Sequence, residues 1–273
     1  MYEPGEFGES LRRLRERRPL IHQISNYVTI NDCANITLAI GASPVMAEDV
    51  SEVEEMVSLA AALVLNMGMP NSRKIEAMLA AGRQAMKQGI PIIFDPVGAG
   101  ATKLRIDAAD RILTELKITA IRGNLSEIKT LLGIGSGTRG VDCIEPQEDN
   151  QALAKRLSAK LGSIVAITGS TDVIAYNNEV CYIHNGTELL AGVTGTGCMT
   201  TALIACFCSV ANNAFAGTIA GVAAMGIAGE LAKQELAKNE GLGTFHMRLF
   251  DAVSNLTPET LSHRMKVEFC SEN

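Results

Sequence analysis

Residues 195–198 read Gly195-Thr196-Gly197-Cys198 and stand where an apolar segment turns into a long helical run. The whole range 189–229 contains no Asp, Glu, Lys, Arg or His. Glycines at a helix start let the backbone approach a ligand, and the first turn offers unpaired N–H groups and a positive dipole end. The pattern predicts an anion site, usually for phosphate, in which the dipole favours the Cys198 thiolate. A tight turn before a buried helix, with cysteine as a small apolar residue, would give the same pattern.

The uncharged run itself is long enough to span a bilayer. It is rich in Ala, Gly, Thr, Asn and Cys, is interrupted by Asn212-Asn213 and lacks flanking basic clusters. These features favour two buried helices that pack closely through small residues. We therefore expect a helical C-terminal third, from Gly197 to about Leu256, and no membrane partner.

Upstream of this run, short apolar segments alternate with helical patterns. The predicted strands are Leu20–Ile24, Leu63–Leu65, Ile90–Phe94, Thr119–Arg122 and Ile164–Thr168. The predicted helices are Asn31–Ile40, Glu52–Ala61, Ser72–Gln88, Ile106–Leu116, Asn124–Leu132 and Asp149–Leu161. Nearly continuous apolar strands separated by helices indicate an α/β fold, with a mostly parallel central sheet and helices on both faces.

Two further features complete the predicted organisation of the chain. The segments Val173–Tyr176 and Glu179–His184 flank Asn177-Asn178, which predicts an antiparallel hairpin at one edge of the sheet. A short glycine-rich stretch, Gly133–Gly140, lies between two predicted helices. Because no repeat or proline-rich linker divides the chain, we expect a single domain over residues 1–273.

Composition narrows the class of protein. The 273 residues are 47% hydrophobic and 20% charged, as in a compact globular protein. Thirty acidic residues against 24 basic ones, with 4% aromatic residues and no tryptophan, argue against nucleic acid as the partner. The seven cysteines have no zinc-type spacing, and the N-terminal arginines are interleaved with Glu9 and Glu16 without a signal-type apolar segment. We expect a cytoplasmic protein with reduced cysteines.

Polar and glycine residues follow nearly every predicted strand. In open α/β sheets, ligands bind beyond the carboxyl ends of the strands, so these residues define the expected site. They are Ser25-Asn26, Asn66-Met67-Gly68, Asp95 to Gly100, Arg122-Gly123-Asn124 and Thr168-Gly169.

Four residues at or next to these strand ends have both a functional and a structural interpretation. Asp95 could hold Mg²⁺ through water, or be a turn residue before Pro96. Glu127 has the spacing of a helix-capping acid, which could also reach a hydrated metal. Arg122 could clamp a phosphate or form an ion pair, and Thr168 could bond a nucleotide or end a strand. Together, and without a Gly-x-x-x-x-Gly-Lys-Ser/Thr loop, they indicate Mg-nucleotide phosphoryl transfer to a small hydroxyl compound.

Four motifs resemble one known family. They read VTGTGC at 193–198, DPVGAG at 95–100, GASPVMA at 41–47 and IRGN at 121–124. In their order along the chain, 41–47, 95–100, 121–124 and 193–198, they are similar to those of the hydroxyethylthiazole kinases of thiamin salvage, and the likeness runs from about Pro19 to Phe250. The resemblance implies a ribokinase-like fold and a homotrimer with sites at subunit boundaries. It also implies ATP-dependent phosphorylation of the hydroxyl of 4-methyl-5-(2-hydroxyethyl)thiazole to its phosphate monoester.

The resemblance also implies roles for individual residues. The thiazole would contact four of them, namely Asn26, Met46, Gly68 and Gly195. Arg122 and Thr168 would bind ATP, while Asp95 and Glu127 would be the acids associated with Mg²⁺. Gly195, Thr196 and Gly197 would form the anion site at the reacting phosphoryl group. Cys198 would occupy the position where ribokinase relatives carry an aspartate base.

Three alternative functions remain. A ribokinase-like kinase for another vitamin precursor, such as a hydroxymethylpyrimidine or pyridoxal, would be expected to keep aspartate at position 198. The same fold serves an ADP-dependent dehydratase that repairs hydrated nicotinamide dinucleotides. A catalytically silent nucleotide-binding protein is disfavoured by Asp95, Arg122 and the Gly-Thr-Gly segment. Phosphate transfer from ATP to a panel of hydroxyl acceptors separates these alternatives.

Overall fold

The computed structural model describes residues 4–134 and 149–271. The predicted glycine-rich stretch Gly133–Gly140 therefore lies outside the described residues from position 135 onward.

The described residues contain one nine-stranded sheet, whose spatial order is β2-β1-β3-β4-β5-β6-β7-β8-β9. The first six strands in this order run parallel, and β7, β8 and β9 are added antiparallel. The mostly parallel sheet and the hairpin at Asn177-Asn178 are thus confirmed. The strands are β1 Leu20–Ile24, β2 Ser43–Val45, β3 Ala62–Asn66, β4 Ile92–Asp95, β5 Ala120–Gly123, β6 Ile164–Ile167, β7 Asp172–Tyr176, β8 Glu179–Ile183 and β9 Val267–Ser271.

Helices begin where the sequence supplies a capping side chain. Asn71, Thr102 and Asn213 each accept a hydrogen bond from the backbone three residues on. Because Thr102 is the cap, α5 begins at Lys103, three residues before the predicted Ile106. The helices are α1 Pro4–Arg17, α2 Ile30–Ile40, α3 Val53–Leu59, α4 Ser72–Gln88, α5 Lys103–Glu115, α6 Leu125–Leu131, α7 Asn150–Leu161, α8 Thr196–Cys208, α9 Ala214–Gln234, α10 Leu242–Ser254 and α11 Pro258–Arg264, with a 3₁₀ turn at Glu188–Gly192.

Hydrophobic layers lie on both faces of the sheet. In β4, Ile93 joins the layer under α1, α2, α8 and α9, whereas Ile92 and Phe94 join the layer under α4, α5 and α7. This alternation follows from the period of two in a strand. The predicted covering of both faces by helices is confirmed.

The uncharged run forms α8 and α9, which pack against each other in the interior. In the part of the chain that the structure describes, α9 is the one helix long and apolar enough to cross a membrane, but 83% of its apolar window is buried. A Cβ at Gly221 would lie 2.5 Å from Cα of Ile204. The small residue is therefore needed for the close approach of the two helices, as the composition of the run indicates.

The structure adds elements that the sequence patterns did not predict. They are the N-terminal helix α1, the three-residue strand β2 and the last strand β9. The predicted helical region from Gly197 to about Leu256 is found as α8, α9 and α10, but the chain then adds α11 and ends in β9 paired with β8. A five-residue segment becomes an edge strand only because a neighbouring strand offers unpaired backbone groups, which local sequence does not specify.

Candidate active site at the carboxyl edge of the sheet

The carboxyl ends of the parallel strands bring the predicted polar residues to one edge of the sheet. Asn26 follows β1, Asn66 and Asp95 end β3 and β4, Arg122 lies in β5 and Thr168 follows β6. Asn66 and Asp95 are direct neighbours in the parallel register. The predicted gathering of these residues at one edge is therefore found in the structure.

Asp95 is completely buried at this edge. Its Oδ2 accepts hydrogen bonds from Asn66 Nδ2 at 2.9 Å and from Thr201 Oγ1 at 2.8 Å. Its Oδ1 is also buried and has no hydrogen-bond partner among the described residues. Burial raises the pKa of Asp95 to about 6, against the positive charge of Arg122, and the negative charge of Glu127 adds to the rise. A buried carboxylate oxygen without a partner is a ready ligand for a cation.

Glu127 caps α6 and also ties down the loop after β4. Asn124 and Glu127 form the predicted capping box, with Asn124 N donating to Glu127 Oε2 at 2.8 Å and Glu127 N donating to Asn124 Oδ1 at 2.9 Å. The second carboxylate oxygen, Oε1, accepts from Gly98 N at 2.8 Å. Each oxygen keeps a free lone pair, so reaching a hydrated metal stays a prediction for this residue.

A network of side-chain hydrogen bonds joins three strand ends to α8. Asn26 Nδ2 lies 3.0 Å from Asn66 Oδ1 and 3.6 Å from Cys198 Sγ. Asn66 and Thr201 in turn hold Asp95, as described above. Thr201 was not predicted to be in the site, because its contact depends on how α8 is rotated against the sheet. Asn66 was recognised only as a residue at a strand end.

The Gly195–Cys198 segment forms the start of α8, as predicted. Gly195 is the N-cap with φ of 91°, a left-handed conformation that favours glycine, and a Cβ there would lie 2.7 Å from Thr29 Cγ2. The first α-helical bond runs from Met199 N to Gly195 O at 2.8 Å. The amides of residues 196–198 therefore precede the helical ladder and are available to an anion. The Thr196 hydroxyl instead donates to Leu190 O at 2.9 Å.

Cys198 is almost fully buried in this first turn. Burial raises the pKa of its thiol, and the negative charge of Asp95 adds to the rise. The prediction that the thiolate would be favoured at this position is therefore wrong for this structure, because desolvation raises the pKa of the thiol. The neutral thiol is the dominant form at neutral pH.

Beside α8 lies a cleft of about 650 Å³, lined by Arg122, Thr168, Asp172, Thr196 and Gly197 among others. Arg122 Nη2 donates a hydrogen bond to Thr168 Oγ1. Its Nε is buried and has no hydrogen-bond partner within residues 4–134 and 149–271. A Cβ added to Gly197 would lie 2.3 Å from Arg122 Nη1. A guanidinium and a helix N-terminus thus face the same cleft, an arrangement whose chemistry suits phosphate groups.

Three of the residues predicted to receive the acceptor follow β1, β2 and β3. Gly68 packs against Asn26, since a Cβ at Gly68 would lie 2.7 Å from Asn26 Nδ2. Met46 follows β2, three strand spacings (about 14 Å) from β4. Asn26, Gly68 and Met46 therefore lie along the edge from β3 to β2, next to the exposed Tyr27, whereas Gly195 lies at the start of α8.

Comparisons with known proteins match most of the chain. Residues 11–259 match the model of the hydroxyethylthiazole kinase family. The chain is 47% identical over 268 residues to hydroxyethylthiazole kinase of Clostridium beijerinckii, covering 96% of this chain and 97% of that protein. The structure of hydroxyethylthiazole kinase protein from Pyrococcus horikoshii OT3 is similar with a TM-score of 0.87 and 38% identity, covering 97% of this chain and 99% of that one.

A more distant structure supports the fold alone. A ribokinase-like superfamily protein from Enterococcus faecalis has a TM-score of 0.63 at 14% identity, covering 88% of this chain and 87% of that one. The fold is therefore ribokinase-like, as the sequence motifs imply. Together with the family match over most of the chain, these comparisons show that the protein belongs to the hydroxyethylthiazole kinase family.

Proposed function

We propose that this protein transfers a phosphoryl group from ATP to the hydroxyl of 4-methyl-5-(2-hydroxyethyl)thiazole, in thiamin salvage. The products are the thiazole phosphate monoester and ADP. The observation that carries the proposal is the contact of Arg122 with the first turn of α8 over an open cleft, in a chain of this family. ATP would occupy the cleft, and the acceptor would approach from the side of Asn26 and Gly68.

The chain's own groups account for binding and orientation of the reactants. Arg122 and Thr168 hold the triphosphate, and the amides of residues 196–198 point at the phosphoryl group that is transferred. Phosphoryl transfer has a loose transition state, so fixed donors around the moving charge supply most of the catalysis. Gly195 and Gly197 permit the close approach that these donors need.

Asp95 and Glu127 fit a hydrated Mg²⁺. The support is the buried Oδ1 of Asp95, which has no partner within the described residues, and the nearby second carboxylate. When bound, Mg²⁺ supplies charge neutralisation at the phosphates. Asp95 is held in place by Asn66 and Thr201, so its free oxygen is oriented in advance.

Cys198 is proposed to lie beside the acceptor hydroxyl and to position it. The buried thiol sulphur accepts a hydrogen bond from Asn26 Nδ2, so this side chain would exclude water from the reacting oxygen. In a loose transition state the hydroxyl proton leaves late, which lessens the need for a strong base. A neutral thiol is compatible with this role.

We further propose that the protein is a homotrimer whose acceptor sites lie at subunit boundaries. In support, the two apolar side chains that follow Asn26 are exposed, Tyr27 by 58% and Val28 by 65%. Large exposed apolar groups mark contact surfaces. Light scattering should return about three chain masses of 29.0 kDa each. Active protein with the mass of one chain would contradict the trimer.

Two further proposals concern the domain organisation and the cellular location of the protein. A single kinase domain over residues 1–273 is supported by the one sheet that runs from β2 to β9. A cytoplasmic location is supported by the cysteines, since all six that the structure describes are free.

The decisive experiment incubates the purified protein with ATP, Mg²⁺ and one acceptor at a time. The acceptors are the thiazole alcohol, a hydroxymethylpyrimidine and pyridoxal, and a parallel reaction contains hydrated NADH with ADP. Mass spectrometry should find the thiazole phosphate with one ADP formed per product. Faster phosphorylation of another alcohol would overturn the acceptor, and dehydration of the hydrate without any phosphorylated alcohol would overturn the kinase assignment.

A further inference from the structure

Lys74 is a buried lysine in the first turn of α4, with only 2% of its side chain exposed. Lysine is almost never buried unless its charge is paired. Its Nζ donates to Ser25 O at 2.7 Å and lies 3.0 Å from Glu48 Oε2. The same Nζ lies 4.2 Å from the centroid of the Tyr27 ring, within the range of a cation–π interaction. One ammonium group therefore contacts the segments after both β1 and β2.

Tyr27 and Glu48 also contact each other directly. The Tyr27 hydroxyl donates to Glu48 Oε1, while Lys74 approaches the other carboxylate oxygen. Burial alone would raise the pKa of Glu48, but the bonds from Tyr27 and Lys74 outweigh it and hold the pKa below its usual value. Glu48 is thus ionised at neutral pH. We call Lys74, Glu48, Tyr27 and the Ser25 carbonyl the Lys74 clasp.

The clasp adjoins residues assigned to the acceptor. Ser25 and Tyr27 are the two neighbours of Asn26, and Glu48 lies two residues after Met46. Behind the clasp, His22 Nε2 lies 2.8 Å from Ala47 O, so the segment after β2 is fixed from both sides. Asn26 in turn holds Thr29 and Cys198. Displacement of either segment would move a residue that lines the acceptor side of the site.

We infer that Lys74 is a positioning residue for the acceptor: with Glu48 and Tyr27 it fixes residues 25–27 against residues 46–48 and thereby sets the shape of the pocket that receives the thiazole alcohol. This inference rests on the proposed function, which supplies the acceptor. Lys74 itself is enclosed by its partners and acts through Asn26 and Met46. It has no part in holding ATP, because the nucleotide cleft lies on the far side of Asp95, along β5 and β6.

The test compares Lys74→Met with wild type in steady-state kinetics on the full-length protein. Methionine keeps the length of the stem but removes the charge and its three donors. Misplacement of reacting groups by about 1 Å can cost up to 100-fold, so a loss of roughly tenfold is expected here. We expect this loss as a higher KM for the thiazole alcohol. The KM for ATP should stay within about twofold, since only acceptor binding is changed.

Lys103→Met is the matched control. Lys103 also lies in the first turn of a helix and pairs with an acid, Asp107, at 2.7 Å, but its side chain is 86% exposed. This variant should leave both KM values unchanged. A rise in acceptor KM for Lys103→Met equal to that for Lys74→Met would overturn the inference, because any lost lysine pair would then have the same effect.

A merely structural role is separated by the double variant Lys74→Met/Glu48→Met. Removing one buried partner is destabilising, whereas replacing both charges by apolar groups is often neutral. The double variant should therefore recover the melting temperature lost in Lys74→Met, yet keep the raised KM for the thiazole alcohol. Recovery of both the melting temperature and the wild-type KM would overturn the positioning role.

The outcome for wild type keeps this inference distinct from the proposed function. If wild type phosphorylates the thiazole alcohol and Lys74→Met has an unchanged acceptor KM, only the role of Lys74 fails. If wild type leaves the thiazole alcohol unphosphorylated, the proposed function fails and the inference fails with it. Faster amide hydrogen exchange of residues 25–29 and 46–50 in Lys74→Met is expected without any substrate, and unchanged exchange would contradict the clasp.

Discussion

Gly197→Ala should impair nucleotide use without harming the fold. The added Cβ would lie 2.3 Å from Arg122 Nη1 and 3.0 Å from its Cζ, whereas ordinary contacts begin at 3.4 Å. The Arg122 guanidinium must therefore move by about 1 Å from its position beside Thr168 and the first turn of α8. A misplacement of this size costs up to 100-fold, or about 2.7 kcal/mol of transition-state stabilisation.

The assay is steady-state kinetics with each substrate varied while the other is saturating. We expect kcat/KM for ATP to fall by roughly 10- to 100-fold, with the KM for the thiazole alcohol little changed. The melting temperature should hold or rise, since the displaced group is the end of a flexible side chain. Alanine is also the better helix former, by about 0.5–1 kcal/mol.

Two controls define what would refute this reasoning. Gly243→Ala makes the same change within a helix, at a position with open space around it, and should leave both substrates unaffected. In the double variant Gly197→Ala/Arg122→Ala, the change at Gly197 should add little to the loss of kcat/KM for ATP that Arg122→Ala causes alone. Both changes act on the Arg122 guanidinium. Activity of Gly197→Ala within about threefold of wild type, or additive losses in the double variant, would refute the role of Arg122 as the displaced group.

Other predictions concern single groups of the site. Arg122→Ala should raise the KM for ATP at least roughly tenfold and leave the KM for the thiazole alcohol nearly unchanged; an equal effect on both would make Arg122 structural. Cys198→Ser should lower kcat but leave measurable activity, because a hydroxyl can also position the acceptor, and Cys198→Asp tests whether a base can act there; an active serine variant beside an inactive aspartate variant would exclude a base at this position. Burial raises the pKa of Asp172 to about 6, so the folded state holds its proton more tightly than the unfolded state. The stability contributed by this group is therefore lost as pH rises from about 4 to about 6. Over this range the free energy of unfolding in urea should fall by up to about 3 kcal/mol in wild type relative to Asp172→Asn. Parallel pH profiles of the free energy of unfolding for the two proteins would contradict this.

Elements with strong local signals were predicted closely. Leu20–Ile24 and Ser72–Gln88 were predicted with the bounds that the structure has. The first is a short apolar run next to a turn, and the second begins at the capping residue Asn71. Glu127 was likewise predicted to cap α6, because the Asn-x-x-Glu spacing places the carboxylate at the backbone of Asn124. Such signals act within one turn of the chain, so sequence alone defines them.

The position of the site was also predictable, but its internal contacts were not. Asp95, Arg122 and Thr168 follow apolar strands, and parallel strands bring their carboxyl ends to one edge. Thr201 holds Asp95 although the two are 106 residues apart, and Lys74 contacts Ser25 and Glu48 across two loops. These contacts depend on the rotation and depth of helices against the sheet, which no local pattern encodes.

The environment of Cys198 also depends partly on the local sequence and partly on the tertiary structure. The sequence determined that Cys198 lies in the first turn of α8, and hence that a helix dipole acts on its sulphur. Only the tertiary structure decided that the sulphur is enclosed by Asn26 and lies near Asp95, where desolvation raises its pKa. The order of residues fixes neighbours along the chain, whereas the loss of water around a side chain depends on every element that packs against it.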